Sequence, residues 1–228
     1  PVTVQRRPGL LAPSSPEPPR PLRCLVLATG RGSNFTALHE ASAQPKAPFS
    51  LEGLVTDRTP CGAQALAERW QVPSQCLPYR DFSTREAFDE ALANSIRATA
   101  PDLVLCAGFM RVLGPAFFKG CSTPLLNIHP SLLPAHRGLH THRQALAARD
   151  AYHGASVHWV TPELDGGPLL AQARLAIAPE DTEERLAARV LALEHALYPR
   201  ALSYLAEAGR DARPLTLDWN GEALIPWP

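Results

Sequence analysis

An amide, an imidazole and a carboxylate stand on two polar turns of this chain. The first turn is Asn127-Ile128-His129-Pro130-Ser131-Leu132-Leu133-Pro134. The second is Leu164-Asp165-Gly166-Gly167-Pro168. Each adjoins an apolar, strand-like run. Together they are the groups that acyl transfer to an amine requires. One must polarise a carbonyl, and a neutral amide can. One must move a proton near neutral pH, which suits the ordinary pKa of histidine. One must hold the imidazole and favour its charged form, which is work for a carboxylate. Taken singly, Asn-x-His and Asp-Gly-Gly are ordinary turn chemistry. Pro130 and Pro134 stiffen the first turn by fixing φ and removing donors. A strand that ends in a rigid polar loop is where α/β folds place ligands. His129 and Asp165 lie far apart in sequence, so only a fold can bring them together.

A second loop, Gly30-Arg31-Gly32-Ser33-Asn34, follows an apolar run and precedes a helical stretch. Glycines there let backbone N–H groups approach a phosphate, and the helix N-terminus favours the anion. A dinucleotide fingerprint would place a third glycine where Phe35 stands. Its absence points to a single phosphate group, although Asp57 could imitate the ribose-binding acid of that fingerprint. Arg31 is assigned no role. Six of the eight histidines fall between positions 129 and 158, which makes a metal site the rival reading. No His-Glu-x-x-His pattern occurs, and His140 and His142 at a helix start would point apart. No metal is therefore expected. His136, His140, His142 and His153 are expected at the solvent or at helix ends, and His158 is a candidate substrate contact.

The elements that must position these groups alternate. Cys24-Leu25-Val26-Leu27-Ala28 reads as a strand buried on both faces. Further strands are expected at 51–55, 75–77, 103–107 and 125–128. Helices are expected at 34–43 and 63–70, and from the capping-box pattern Ser83-Thr84-Arg85-Glu86 to about Thr99. This βαβ order implies an α/β fold with a mainly parallel sheet and helices on both faces. Later, 156–160 and 169–177 read as strands joined by the Asp165 loop. A helix should open at Asp181 as its cap, with Leu186, Val190 and Leu193 facing the core, and break or kink near Tyr198 before Pro199. Two apolar runs flank Asn220-Gly221 as a β-hairpin. There is no internal repeat.

Composition sets the bounds. The 228 residues, 45% hydrophobic, suffice for one domain with a sizeable core. Residues 1–22 read as a proline-rich, irregular tail, 23–209 as the catalytic domain and 210–228 as a C-terminal extension carrying the hairpin. Lys+Arg and Asp+Glu number 22 each, so no basic field favours nucleic acid. Lys46 and Lys119 are the only lysines, a bias of coding composition. No stretch is long and apolar enough to span a membrane, and no apolar signal core follows Arg6 and Arg7. Five scattered cysteines without a Cys-x-x-Cys pair read as reduced thiols of a cytoplasmic protein.

In order along the chain stand Gly30–Asn34, Gly108-Phe109-Met110-Arg111-Val112-Leu113, the Asn127–Pro134 run, Gly138-Leu139-His140-Thr141-His142, the Asp165 turn and Glu194-His195-Ala196-Leu197-Tyr198-Pro199. Over roughly residues 23–206 this chain resembles the phosphoribosylglycinamide formyltransferase family of folate-dependent enzymes of purine biosynthesis. The Asn-x-His and Asp signals belong to the wider formyltransferase superfamily. Ser156-Val157-His158 and Glu194-His195 are more particular to this member.

The resemblance implies a Rossmann-like formyltransferase fold and transfer of a formyl group from 10-formyltetrahydrofolate to the amine of glycinamide ribonucleotide. It implies a catalytic set of Asn127, His129 and Asp165. Gly32, Ser33 and Asn34 would hold the phosphate, and Glu194 the sugar or glycinamide end. Arg85, Met110, Arg111, Val112, Leu113, Thr161, Pro162, Glu163 and Leu164 would border the folate. The partners would be these small molecules, with the protein a monomer or a weak homodimer. Two relatives share the core: formyltetrahydrofolate deformylase, which carries an N-terminal regulatory domain, and methionyl-tRNA formyltransferase, which carries a C-terminal RNA-binding domain. Neither addition is legible here. A non-enzymatic nucleotide-binding module is the remaining alternative, and it leaves Asn127, His129 and Asp165 unexplained.

Overall fold

The structure, a computed structural model, describes residues 20–211 and 213–226. The tail expected at 1–22 lies outside the described residues up to residue 19, and Leu22 already belongs to the first strand. The strands are β1 (Leu22–Ala28), β2 (Phe49–Thr56), β3 (Ser74–Cys76), β4 (Leu103–Cys106), β5 (Leu125–His129), β6 (Tyr152–Trp159), β7 (Leu169–Ala176), β8 (Leu215–Trp219) and β9 (Leu224–Pro226). The helices are α1 (Ser33–Ser42), α2 (Gly62–Arg69), α3 (Arg85–Thr99), α4 (Pro115–Gly120), α5 (Thr141–Ala148) and α6 (Glu183–Ala208), with a single 3-10 turn at Tyr79–Asp81.

One sheet runs β3-β2-β1-β4-β5-β6-β7-β8-β9. The first five strands are mutually parallel. β6 opposes both neighbours, β7 and β8 are parallel, and β9 folds back on β8. Alternate residues of β1 feed two cores. Cys24, Val26 and Ala28 pack with Phe35, Leu38, Ala63 and the apolar stripe of α6. Leu25 and Leu27 pack with Phe88, Leu92 and Ile96 of α3 and with Phe117 of α4. A strand covered by helices on both faces must be apolar throughout, which is why this run carries no alternation. The cysteines are free thiols, and burial pushes Cys24 and Cys106 up to about 12.

Several local expectations are corrected. The cap of α3 is Thr84, not Ser83: its hydroxyl accepts from the Ala87 N–H at 3.1 Å. The cap of α6 is Thr182, not Asp181, and accepts from the Arg185 N–H. The Asp181 carboxylate instead accepts from the Ala178 N–H and pairs with Arg189. Replacing Thr182 by alanine should therefore cost about 1 kcal/mol of stability, read as a lower denaturant midpoint at unchanged slope.

Pro199 does not end α6, which runs on to Ala208. A mid-helix proline costs about 3 kcal/mol. Leu193, Leu197, Leu202 and Leu205 lie buried along the same helix, and each stabilises it by roughly 1.5–3 kcal/mol. Tyr198, wholly buried, donates its hydroxyl to the carbonyls of Cys106 and Leu126 at 3.3 and 3.0 Å. Packing therefore outweighs the missing N–H. The terminal hairpin is present, but Trp219 pairs with Leu224 across a four-residue loop. Asn220 organises it by accepting from the N–H groups of Glu222 and Ala223. Among the described residues, no helix is long and apolar enough to cross a membrane.

Candidate active site

Strand order reverses between β1 and β4, and ligands of open α/β sheets bind beyond the strand ends at such a point. The loops after β1, β4 and β5 open there. Gly32 is the residue before α1, at φ 84, where a side chain is strained. The first turn of α1 has neither a side-chain cap nor an acidic residue. Its N–H groups therefore keep their affinity for an anion. That is the chemistry expected of Gly32, Ser33 and Asn34.

Asn127 and His129 alternate by two on β5, so both side chains leave the same face. Register places His158 of β6 opposite Asn127 and Ser156 opposite His129. The buried Ser156 hydroxyl donates to Ser131 O at 2.7 Å and accepts from the Leu133 N–H at 3.1 Å, which pins the turn after His129. The Asp165 loop arrives from the other side. Its Oδ2 lies 3.5 Å from His129 Nδ1, and its Oδ1 lies 3.6 Å from His158 Nε2. Asp165 sits at φ 48 and accepts from the Gly138 N–H at 2.9 Å. The fold thus brings Asn127, His129, His158 and Asp165 together.

The hydrogen bonds assign the protons. His129 Nε2 lies 2.9 Å from the His136 carbonyl, which can only accept, so Nε2 carries hydrogen. Nδ1 then faces the Asp165 carboxylate. His158 Nδ1 donates to the Trp159 carbonyl at 3.0 Å, and its Nε2 accepts from the Asn127 amide at 3.2 Å. Burial lowers the pKa of His158, in keeping with a neutral ring. His158 thereby orients Asn127.

The other histidines only partly match expectation. His140 is exposed at the start of α5. His153, expected at the solvent or a helix end, is buried on β6 because the inward face of that strand falls on it. Its Nε2 lies 3.1 Å from His142 Nδ1, and burial pushes it down to about 4. His136 pairs with Asp150 at 2.6 Å. Among the described residues, no three His, Cys, Asp or Glu side chains are grouped to hold a metal.

Arg85, Met110, Arg111 and Val112 line one groove of about 210 Å³ with Tyr79, Phe88 and Asp89. Met110 and Val112 stand exposed, as does Leu164 of the 161–165 loop. Leu113 turns its side chain into the α3 core. Glu163 pairs with Arg137, and its carbonyl accepts from the Gly166 N–H and the Thr161 hydroxyl, so the 161–165 loop is tied down. A larger groove of about 530 Å³ between α1 and α6 is lined by Ser33, Glu40 and His195. It flanks the glycine loop, but none of Asn127, His129 or Asp165 lines it, so we do not place the chemistry there.

Sequence reasoning missed the link between α1 and α6. Asn34 Nδ2 donates to Glu194 Oε2 at 2.7 Å inside the protein. Glu194 lies one helical turn before Tyr198, so the anchoring of that tyrosine sets its depth. Burial raises the Glu194 carboxyl to about 7, opposed by the Asn34 hydrogen bond. The sign follows. A raised carboxyl pKa makes the folded state hold its proton more tightly. The resulting stability is present below the ordinary value of 4.5 and is lost as pH rises to about 7. The change amounts to something on the order of 3 kcal/mol. Glu194→Gln should therefore gain on the wild type between pH 5 and 8 in chemical denaturation. Parallel pH profiles would remove the buried-acid assignment.

With this geometry in view, the relatives are informative. A family model described as formyl transferase matches residues 22–202. A phosphoribosylglycinamide formyltransferase of Escherichia coli (strain K12) is 42% identical over 206 residues, spanning 90% of this chain and 97% of that protein. The solved structure of the Coxiella burnetii phosphoribosylglycinamide formyltransferase is 42% identical, with a TM-score of 0.77 over 82% of this chain and 88% of that one. The Brucella melitensis structure of the same description is 40% identical, with a TM-score of 0.77 over 85% of this chain and 99% of that one. Family model, sequence and fold agree, and the chain belongs to the phosphoribosylglycinamide formyltransferase family of formyl transferases.

Proposed function

We infer that this enzyme transfers the formyl group of 10-formyltetrahydrofolate to the amine of N1-(5-phospho-D-ribosyl)glycinamide, in purine biosynthesis. The observation that carries the reading is the convergence of Asn127, His129 and Asp165 beside a helix start suited to a phosphate. Gly32, Ser33 and Asn34 hold the nucleotide phosphate on backbone N–H groups, and Glu194 reaches its sugar or glycinamide end. The groove beside Arg85 and Met110–Leu113, faced by the 161–165 loop, takes the folate. Its exposed Met110 and Val112 suit a flat aromatic ring.

The amine lone pair attacks the formyl carbon, and the carbonyl electrons move to oxygen. The oxyanion lies where Asn127 and the His129 imidazolium can donate to it. In the structure His129 Nε2–H is given to the His136 carbonyl, so donation to the oxyanion exchanges that partner. Asp165 stabilises the imidazolium and organises the transfer of a proton from the attacking amine to the departing folate nitrogen, through water. The oxyanion electrons then return and the bond to the folate nitrogen breaks, giving the N-formyl product and tetrahydrofolate.

A nucleotide analogue with a hydroxyl in place of the terminal amine should compete with glycinamide ribonucleotide and leave the donor intact. Accelerated release of formate on adding it would favour a hydrolase.

A further inference from the structure

The segment from Met110 to Gly114, between β4 and α4, is held by four contacts, from α3 and from the ends of β1 and β2. The Met110 N–H donates to Thr29 Oγ1 at 3.0 Å. The Arg85 guanidinium donates to the Val112 carbonyl at 2.7 Å. The Gly114 N–H donates to Asp89 Oδ2 at 3.0 Å. Arg111 Nε donates to Asp57 Oδ2 at 2.6 Å.

Asp57 is a charged anchor that the chemistry above leaves unused. It follows β2, and its side chain is wholly enclosed, with Oδ1 lacking a partner among the described residues. The Arg111 guanidinium also lies over the Tyr79 ring, 4.1 Å from its centroid. The Tyr79 N–H donates to the Asp57 main-chain carbonyl at 3.0 Å, which joins the main chains of the two residues that hold the guanidinium. A guanidinium that is paired on one side and stacked on the other is drawn inward. Its main chain is then the part presented to the groove. A buried carboxylate with one cationic partner makes that contact costly to break.

We propose that Asp57 is a positioning residue for the formyl donor: through Arg111 it fixes the Met110–Leu113 main chain as the wall on which the donor packs. This rests on the reading of that groove as the donor site. The competing arrangement, in which the Arg111 guanidinium itself grips a donor carboxylate, gives the opposite sign. Neutralising Asp57 would then free the cation and tighten donor binding.

The test uses the full chain, with steady-state constants for both substrates and thermal midpoints. Asp57→Asn is expected to raise KM for 10-formyltetrahydrofolate about tenfold, the scale of a lost charge-assisted hydrogen bond. KM for glycinamide ribonucleotide should stay unchanged. Arg111→Met should behave alike, and the double variant should lose little more, because both changes break one contact. An unchanged or lower donor KM in Asp57→Asn overturns the proposal, as does an equal rise for both substrates. If Asp57→Asn does not fold, Tyr79→Leu keeps the buried pair and removes the stack. It should raise donor KM about threefold, and no rise overturns the proposal. Met110→Glu, on the exposed rim, tests the groove itself. If it leaves donor KM untouched, the groove reading fails. If it raises donor KM while Asp57→Asn does not, only the positioning role fails.

Discussion

Asp165→Asn is expected to lower turnover in formyl transfer about 100-fold or more, the scale on which acid–base or oxyanion support is lost. The change is unusually clean at this position. Asp165 sits at φ 48, a left-handed conformation that asparagine adopts at least as readily. The amide oxygen can still accept from the Gly138 N–H, as Oδ2 does now. What disappears is a negative charge 3.5 Å from His129 Nδ1. His129→Ala should cost at least as much, because it removes the proton-bearing ring altogether. Nucleotide affinity should change little in either variant, since the phosphate loop follows β1 and not β5. Turnover near the wild-type rate in both would show that the catalytic roles lie elsewhere.

Gly32→Val should weaken glycinamide ribonucleotide binding about 30-fold or more, from left-handed strain plus overpacking. At φ 84 a β-branched residue is disfavoured before any contact is counted. A Cβ there would lie 2.9 Å from the Ala63 Cα and 3.1 Å from Leu66 Cδ1. Ala63 belongs to α2, so the glycine loop cannot yield without moving a helix. The start of α1, and with it the N–H groups of Ser33 and Asn34, must shift instead. Donor binding should be preserved, because Met110–Leu113 hang from other anchors. Direct titration with each substrate decides this. Equal loss of both would mean a misfolded protein and no local phosphate site.

Much of this was legible in the sequence where one physical rule acts alone. Leu25–Ala28 and Leu103–Cys106 are continuous apolar runs because helices cover both faces of the sheet, and the runs mark those strands directly. Asn127 and His129 are readable as a pair because alternation along a strand fixes their common face. Failures came where two rules compete. Ser83 fits the capping-box spacing, yet Thr84 holds the extended conformation and the hydrogen bond. Pro199 reads as a helix end, yet Tyr198 and the leucines beside it carry α6 past it. α4 is six residues long, too short for a period to register. Long-range pairings were the least legible. Nothing local joins Asp57 to Arg111, or Asn34 to Glu194, since these contacts exist only once β1, β2, β4 and α6 are packed. His158 was recognised as a candidate, but its hold on Asn127 depends on the β5–β6 register.

The most direct measurement of the central claim follows the formyl carbon. Enzyme, glycinamide ribonucleotide and 10-formyltetrahydrofolate labelled in the formyl group are mixed at saturating concentration, and the label is traced over one turnover. Direct transfer at the Asn127–His129–Asp165 site requires the label to appear in the N-formyl nucleotide as tetrahydrofolate forms, at a rate that falls sharply in Asp165→Asn. Label released as free formate, or a rate indifferent to the nucleotide, would contradict it.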